Sequence, residues 1–211
     1  MFAVNGAFVR RWCRIAQIQR KDIPPPYFEE HFSIMSKESI AKLDAAIRDV
    51  PDFPKPGILF KDITPVLADP DLLPLTADLL AETSGGAKID QVVGIDARGF
   101  IFAAMVAERL NAGFVPVRKK GKLPFETVGK AYALEYGEAE VEIHVDAVKP
   151  GENILLVDDL LATGGTAAAA RDLIEGIGGN IVAISFLIEL SFLGGREVLG
   201  DSTPIHSILS Y

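Results

Sequence analysis

The sequence predicts an α/β domain built on a parallel twisted sheet with helices on both faces. Three observations lead there. Apolar runs of strand length recur along the chain, at Gln91 to Ile95, Asn153 to Val157 and Ile181 to Leu187. Segments with helical apolar spacing separate them, and a strand–helix–strand alternation is satisfied by parallel strands joined through crossover helices. Polar clusters follow two of the runs directly, Asp96-Ala97-Arg98 and Asp158-Asp159. Open sheets of this kind collect ligands beyond the C-terminal ends of their strands, which is where both clusters fall.

In chain order, Ser36 to Val50 reads as an amphipathic helix, with Ile40, Leu43, Ile47 and Val50 on one face and a start signal in Ser36-Lys37-Glu38-Ser39. Asp71 to Thr83 reads as a second helix, and Gln91 to Ile95 as a strand. Arg98 to Asn111 is helical, Gly113 to Val117 and Val141 to Val145 are extended, and Asn153 to Val157 is a buried strand. Gly164 to Ile177 is a helix and Ile181 to Leu187 another buried strand. No internal repeat interrupts the pattern.

Length and composition are those of one domain with a substantial core: 211 residues, 49% hydrophobic and 24% charged. No apolar run reaches the roughly 18 residues of a membrane span. A net charge of −8 argues against a nucleic-acid partner. Cys13 is the only cysteine, so no internal disulfide forms, and no Cys/His metal cluster is present in the sequence. A cytoplasmic location is the expectation.

Residues 1–35 differ from the rest. Up to Lys21 they carry Arg10, Arg11, Arg14 and Arg20 with no acid, and Pro24-Pro25-Pro26 then interrupts any helix. Residues 36–211 hold 16 basic and 26 acidic side chains. We expect an N-terminal extension over 1–35, either an upstream start without a role or a transit peptide, followed by the functional domain over 36–211. No chemistry is assigned to Trp12 or Cys13.

The stretch Ile154 to Thr166 is the most informative of all. A buried strand delivers Asp158 and Asp159, then breaks into Ala162-Thr163-Gly164-Gly165-Thr166, which opens an Ala-rich helix. The glycines let backbone approach a ligand, the free N–H groups of the first helical turn point at an anion, and the helix dipole adds partial positive charge. Two acceptor-only carboxylates suit a ribose diol next to that phosphate. A Walker A loop is excluded because Gly165 is followed by Thr166-Ala167 and not by Lys-Ser/Thr; a dinucleotide fingerprint is excluded because the acids precede the glycines.

Val157 to Thr166 resembles the phosphoribosyl pyrophosphate motif of type I phosphoribosyltransferases, in the form that acts on adenine. Four further segments agree in order: Phe53 to Pro65 resembles the base-binding segment, Gly94 to Phe100 the pyrophosphate loop, and Arg118 to Pro124 and Leu134 to Gly137 the two ends of a mobile catalytic loop. The resemblance covers about Ser36 to Tyr211. It implies the type I phosphoribosyltransferase fold with a small base-binding N-terminal hood, a homodimer, and Mg²⁺ held through substrate and water with no direct protein ligand. The implied reaction is adenine plus phosphoribosyl pyrophosphate giving AMP and pyrophosphate.

The resemblance also implies site roles. Arg98, Lys119 and Lys122 would face the pyrophosphate, Phe60 would stack on adenine, and main-chain groups of Leu59 and Lys61 would read its edge, leaving the Lys61 side chain free to vary. Asp158, Asp159, Ala162, Thr163, Gly164, Gly165 and Thr166 would hold the ribose phosphate. Glu135 would be the acid/base at the purine, a role that needs burial to raise a carboxyl pKa, and Tyr136 would help close the lid. A non-proline cis peptide is implied at Asp96–Ala97. Two other readings are a phosphoribosyl pyrophosphate sensor without turnover and a transferase for 6-oxopurines. A sensor of the repressor type would need a DNA-binding module larger than 35 residues, and a 6-oxopurine enzyme would need a C-terminal side-chain donor, whereas Thr203 to Tyr211 holds no lysine or arginine.

Overall fold

A computed structural model of the chain describes residues 37–133 and 138–211. Met1–Ala41 and Lys42–Tyr211 are separate units. Of the first, only helical residues 37–41 are described; everything below concerns the second.

In this unit residues 42–46 are helical (α1), and Arg48–Pro51 and Leu59–Asp62 form strands β1 and β2, an antiparallel hairpin of its own. Helices α2 (Thr64–Ala68) and α3 (Leu72–Glu82) lead to β3 (Gln91–Ile95), α4 (Gly99–Leu110) and β4 (Gly113–Lys119). β5 (Thr127–Ala133) and β6 (Glu138–His144) precede β7 (Asn153–Leu161), α5 (Gly165–Gly176) and β8 (Asn180–Glu189). A 3-10 turn at Ser191–Leu193, helix α6 (Gly195–Leu199) and β9 (Ile205–Ser210) complete the order.

Seven strands form one sheet in the order β5-β6-β4-β3-β7-β8-β9. The five from β4 to β9 are mutually parallel; β6 pairs antiparallel with both β4 and β5. From β3 the chain crosses to β4 on one side, and from β7 it crosses to β8 on the other. Right-handed crossovers therefore place α4 and α5 on opposite faces, and the packing agrees. Ile154 and Leu156 of β7 join Val93, Ile95, Ile184 and Phe186 in the core built around Ala170, Leu173 and Ile174 of α5. Their neighbours Leu155 and Val157, pointing the other way as strand residues must, are also fully buried, as are Phe102, Ala103 and Val106 of α4. Both faces being covered explains why these strands read as continuous apolar runs.

Three expectations need correction. The helix from Ser36 does not reach Val50: it ends at residue 46, and Arg48–Pro51 pairs with β2. Val50 precedes a proline, which disfavours helical backbone there. The segment between Arg118 and Gly137 is not loop throughout, since Thr127–Ala133 pairs with β6 along its whole length; the sheet is thus mixed at this edge and parallel elsewhere. β7 does not stop at Val157 but runs on to Leu161, with Leu160 and Leu161 registered on Ile188 and Glu189.

Candidate active site

β3 and β7 are neighbours at the point where the crossovers diverge, so their C-terminal ends open a crevice between two outgoing helices. The Asp96–Ala97 peptide after β3 is cis, as the resemblance implies. Arg98, next in line, caps α4 and turns its guanidinium to Asp159, with Nε 2.8 Å from Oδ2. The same guanidinium lies 5.7 Å from the centre of the Phe60 ring, within cation–π range. Phe60 is itself met edge-on by Phe53, centroid to centroid 5.2 Å. One side chain thus bridges three segments that are far apart in sequence: the hairpin, the β3 loop and the β7 acids.

The acids are unequal. Asp158 lines the cleft, whereas Asp159 is buried and engaged by Arg98. Asp158 Oδ1 accepts the backbone N–H of Asp159 at 2.9 Å. Burial, and then the charge of Asp159, hold Asp158 well above the ordinary carboxylate range. Burial raises Asp159 as well, with Arg98 opposing it. Gly99 makes room for the pair. A side chain there would sit 2.6 Å from Asp158 Oδ1 and 3.1 Å from the Val157 carbonyl.

Beyond the acids lies an open cleft lined by Asp158 and by Leu160 through Ala167. Gly164 caps α5 in the left-handed region, φ 83°, and offers no side-chain acceptor, so the first-turn N–H groups of Gly165, Thr166 and Ala167 are left for an anion. Gly195 of α6 supports this loop from behind. A side chain on Gly195 would run into the Ala162 carbonyl, and one on Gly164 would meet the Gly195 backbone. α6 is in turn fixed by Arg196, whose guanidinium donates to both carboxylate oxygens of buried Glu189, at 3.1 and 2.6 Å. Sequence reading missed α6 altogether; Gly194-Gly195 signals a turn but not what it touches.

Lys119 and Lys122 sit at the C-terminal end of β4 and just after it, at the sheet edge shared with β3, and neither has an ion-pair partner among the described residues. The ion pair recorded for Asp159 is with Arg98 and not with either lysine. Arg118, not singled out before, ties this turn to β3: its Nε is 3.3 Å from Asp96 Oδ2 and it donates to the Lys122 carbonyl at 3.0 Å. Leu59 is half exposed on β2, beside Phe60. The Lys61 side chain is not free, being paired with Asp49 at 2.6 Å. Asp62, two residues ahead of Thr64, accepts the Thr64 N–H at 2.9 Å, and hydrogen bonding from Thr64 lowers its pKa. Glu135 and Tyr136 lie outside the described residues. No group of three or more His, Cys, Asp or Glu among the described residues could hold a metal ion.

The phosphoribosyl transferase domain family matches residues 64–191. The adenine phosphoribosyltransferase of Sorangium cellulosum is 54% identical over 185 residues, 86% of this chain and 92% of that protein. Among solved structures, adenine phosphoribosyltransferase from Rhodothermus marinus is 51% identical with a TM-score of 0.79, covering 83% of this chain and 99% of that one. The Saccharomyces cerevisiae enzyme, solved with an imino-altritol bisphosphate and adenine, is 40% identical with a TM-score of 0.77 over 82% of this chain and 99% of its own.

Proposed function

Since the chain belongs to the adenine phosphoribosyltransferases of the phosphoribosyl transferase domain family, and so forms AMP and pyrophosphate from adenine and phosphoribosyl pyrophosphate, we propose how its residues divide that work. The observation that carries the assignment is the position of Arg98, between the Phe60 ring and the Asp159 carboxylate. A ligand spanning base, sugar and leaving group has to pass this residue.

The 5′-phosphate takes the first-turn N–H groups of α5, with Ala162, Thr163, Gly164, Gly165 and Thr166 around it. Asp158 and Asp159 accept from the ribose hydroxyls, and their negative charge faces a sugar that becomes oxocarbenium-like as the C1′–O bond to pyrophosphate breaks. Arg98, Lys119 and Lys122 take up the charge growing on pyrophosphate. Adenine lies on Phe60, read at its edge by the Leu59 and Lys61 main chain, so that N9 faces C1′. As the N9–C1′ bond forms, the N9 proton passes to Glu135, with Tyr136 covering the site.

Mg²⁺ held through substrate and water fits these residues, because Asp158 lines the cleft while no all-protein cage exists among the described residues. When bound, it would neutralise pyrophosphate oxygens and orient them through substrate and water. The proposal extends to a homodimer, to a cytoplasmic location consistent with the lone Cys13, and to a functional domain over 36–211 with 1–35 as an extension. No described helix is long and apolar enough to cross a membrane. The test is pyrophosphate release from phosphoribosyl pyrophosphate and Mg²⁺ with each purine base in turn. Adenine alone should support it; equal release with hypoxanthine or guanine would reject the base assignment.

A further inference from the structure

The two faces of β2 lead to different places. Phe60 and Lys61 are successive strand residues and so project oppositely. Phe60 faces Arg98, whereas the Lys61 ammonium lies 3.8 Å over the centre of the Tyr211 ring. Asp49, the cross-strand partner of Lys61 on β1, closes the other side of that ammonium at 2.6 Å. The Tyr211 hydroxyl donates to Asp44 Oδ1 of α1 at 2.6 Å. Burial and the neighbouring acids Asp44 and Asp49 raise the phenol pKa, so it remains a donor.

Tyr211 is itself held by the central sheet. Its N–H donates to the Glu189 carbonyl at 2.9 Å, continuing the β8–β9 ladder by one residue, and its carbonyl accepts the Ser191 N–H at 2.9 Å and hydroxyl at 2.7 Å. Among the described residues the hairpin has no strand partner in that sheet. From the juxtaposition of a sheet-anchored aromatic with the back of β2, we infer that Tyr211 is a positioning residue for adenine binding: through Lys61 it sets the height of β2, and hence of the Phe60 ring, over the crevice. The inference rests on the proposal that Phe60, Leu59 and Lys61 form the base site.

A cation held over an aromatic ring and an exposed-to-half-buried hydrogen bond together alter an equilibrium by about five- to tenfold. The experiment measures KM for adenine, KM for phosphoribosyl pyrophosphate, kcat and Tm for the full chain and its variants Tyr211→Leu, Tyr211→Phe, Lys61→Met and Phe60→Ala. Tyr211→Leu and Lys61→Met should raise KM for adenine about five- to tenfold while KM for phosphoribosyl pyrophosphate stays within about twofold. Tyr211→Phe keeps the ring under the ammonium and loses only the bond to Asp44, so it should rise about twofold. Should Tyr211→Leu fail to fold, Tyr211→Phe and Lys61→Met decide. An unchanged KM for adenine in the folded variants, or an equal rise in both KM values, would overturn the inference. Phe60→Ala separates the two levels: if it too leaves KM for adenine unchanged, the base site is wrongly placed, whereas a large rise there with none at Tyr211 and Lys61 rejects the positioning role alone.

Discussion

Replacing Gly99 with alanine adds a single methyl group at the meeting point of α4 and β7. That carbon would lie 2.6 Å from Asp158 Oδ1, 3.1 Å from the Val157 carbonyl oxygen and 3.2 Å from the Asp158 Cα. Carbon contacts relax at about 3.5–4.0 Å. Two of the three obstacles are β7 backbone, which cannot rotate aside, so helix and strand must part by something under about 1 Å. Alanine gains up to about 1 kcal/mol in helix propensity over glycine, less at the first helical position, while overpacking of a closed core costs about 1–3 kcal/mol. Packing wins, by about 1–2 kcal/mol. For a chain of this size that is a Tm lower by about 2–8 °C. The larger effect is chemical, because the carboxylate that lines the cleft moves with the backbone, and a displacement near 1 Å costs about 100-fold in rate. Calorimetry without substrate and kcat/KM for phosphoribosyl pyrophosphate measure the two. A Tm equal to or above that of the parent, together with unchanged kcat/KM, would refute the argument that the missing side chain sets the approach of α4 to Asp158.

Asp158→Asn should separate stability from activity. The native pKa of Asp158 is raised, so between the ordinary carboxylate range and that higher value the folded protein holds a proton that the unfolded chain has released, and stability falls as pH rises through this window. Asparagine can still accept the Asp159 N–H but does not titrate; without substrate its Tm should equal or exceed the parent's at pH 8 and lose that advantage near pH 4, while turnover falls at least about tenfold. A lower Tm at pH 8 than the parent would contradict the assignment. Gly195→Ala should press on Ala162 and raise KM for phosphoribosyl pyrophosphate several-fold with little change for adenine; parallel changes in both would show general unfolding instead. A chain begun at Met35 should convert adenine at the parent rate and sediment as a dimer, and an inactive monomer would show that the upstream residues are needed.

Much of the sheet was legible because its strands are buried on both faces. Gln91–Ile95 was read to the residue, and Asn153 and Gly165 mark the starts of their elements within one position. The phosphate cleft was legible too, since strand, acids, small-residue loop and helix start are consecutive. What failed was whatever depends on pairing. Thr127–Ala133 contains Gly129 and Lys130 and is a strand because β6 lies beside it, not because of any apolar alternation. β7 extends through two carboxylates because β8 continues alongside. The contacts of Arg98 with Phe60 and of Lys61 with Tyr211 join residues 38 and 150 positions apart, and no local periodicity encodes them.

The parallel core has a second edge, where β3, β7 and β8 begin. There Asp90 donates its N–H to the Asn153 carbonyl, Gly151 to Gly178 and Asn180 to Glu152, so the loops are stitched to one another independently of the chemistry. Gly85 and Gly86 project from this edge into solvent, each with φ in the left-handed region and open space around it. Five strand residues of about 3.3 Å each separate it from the crevice, roughly 16 Å. An inserted epitope, fluorophore or surface-attachment handle at Gly85-Gly86 would therefore ride on the rigid end of the sheet. That end is the natural point of immobilisation for a working catalyst, with its mouth facing away from the support.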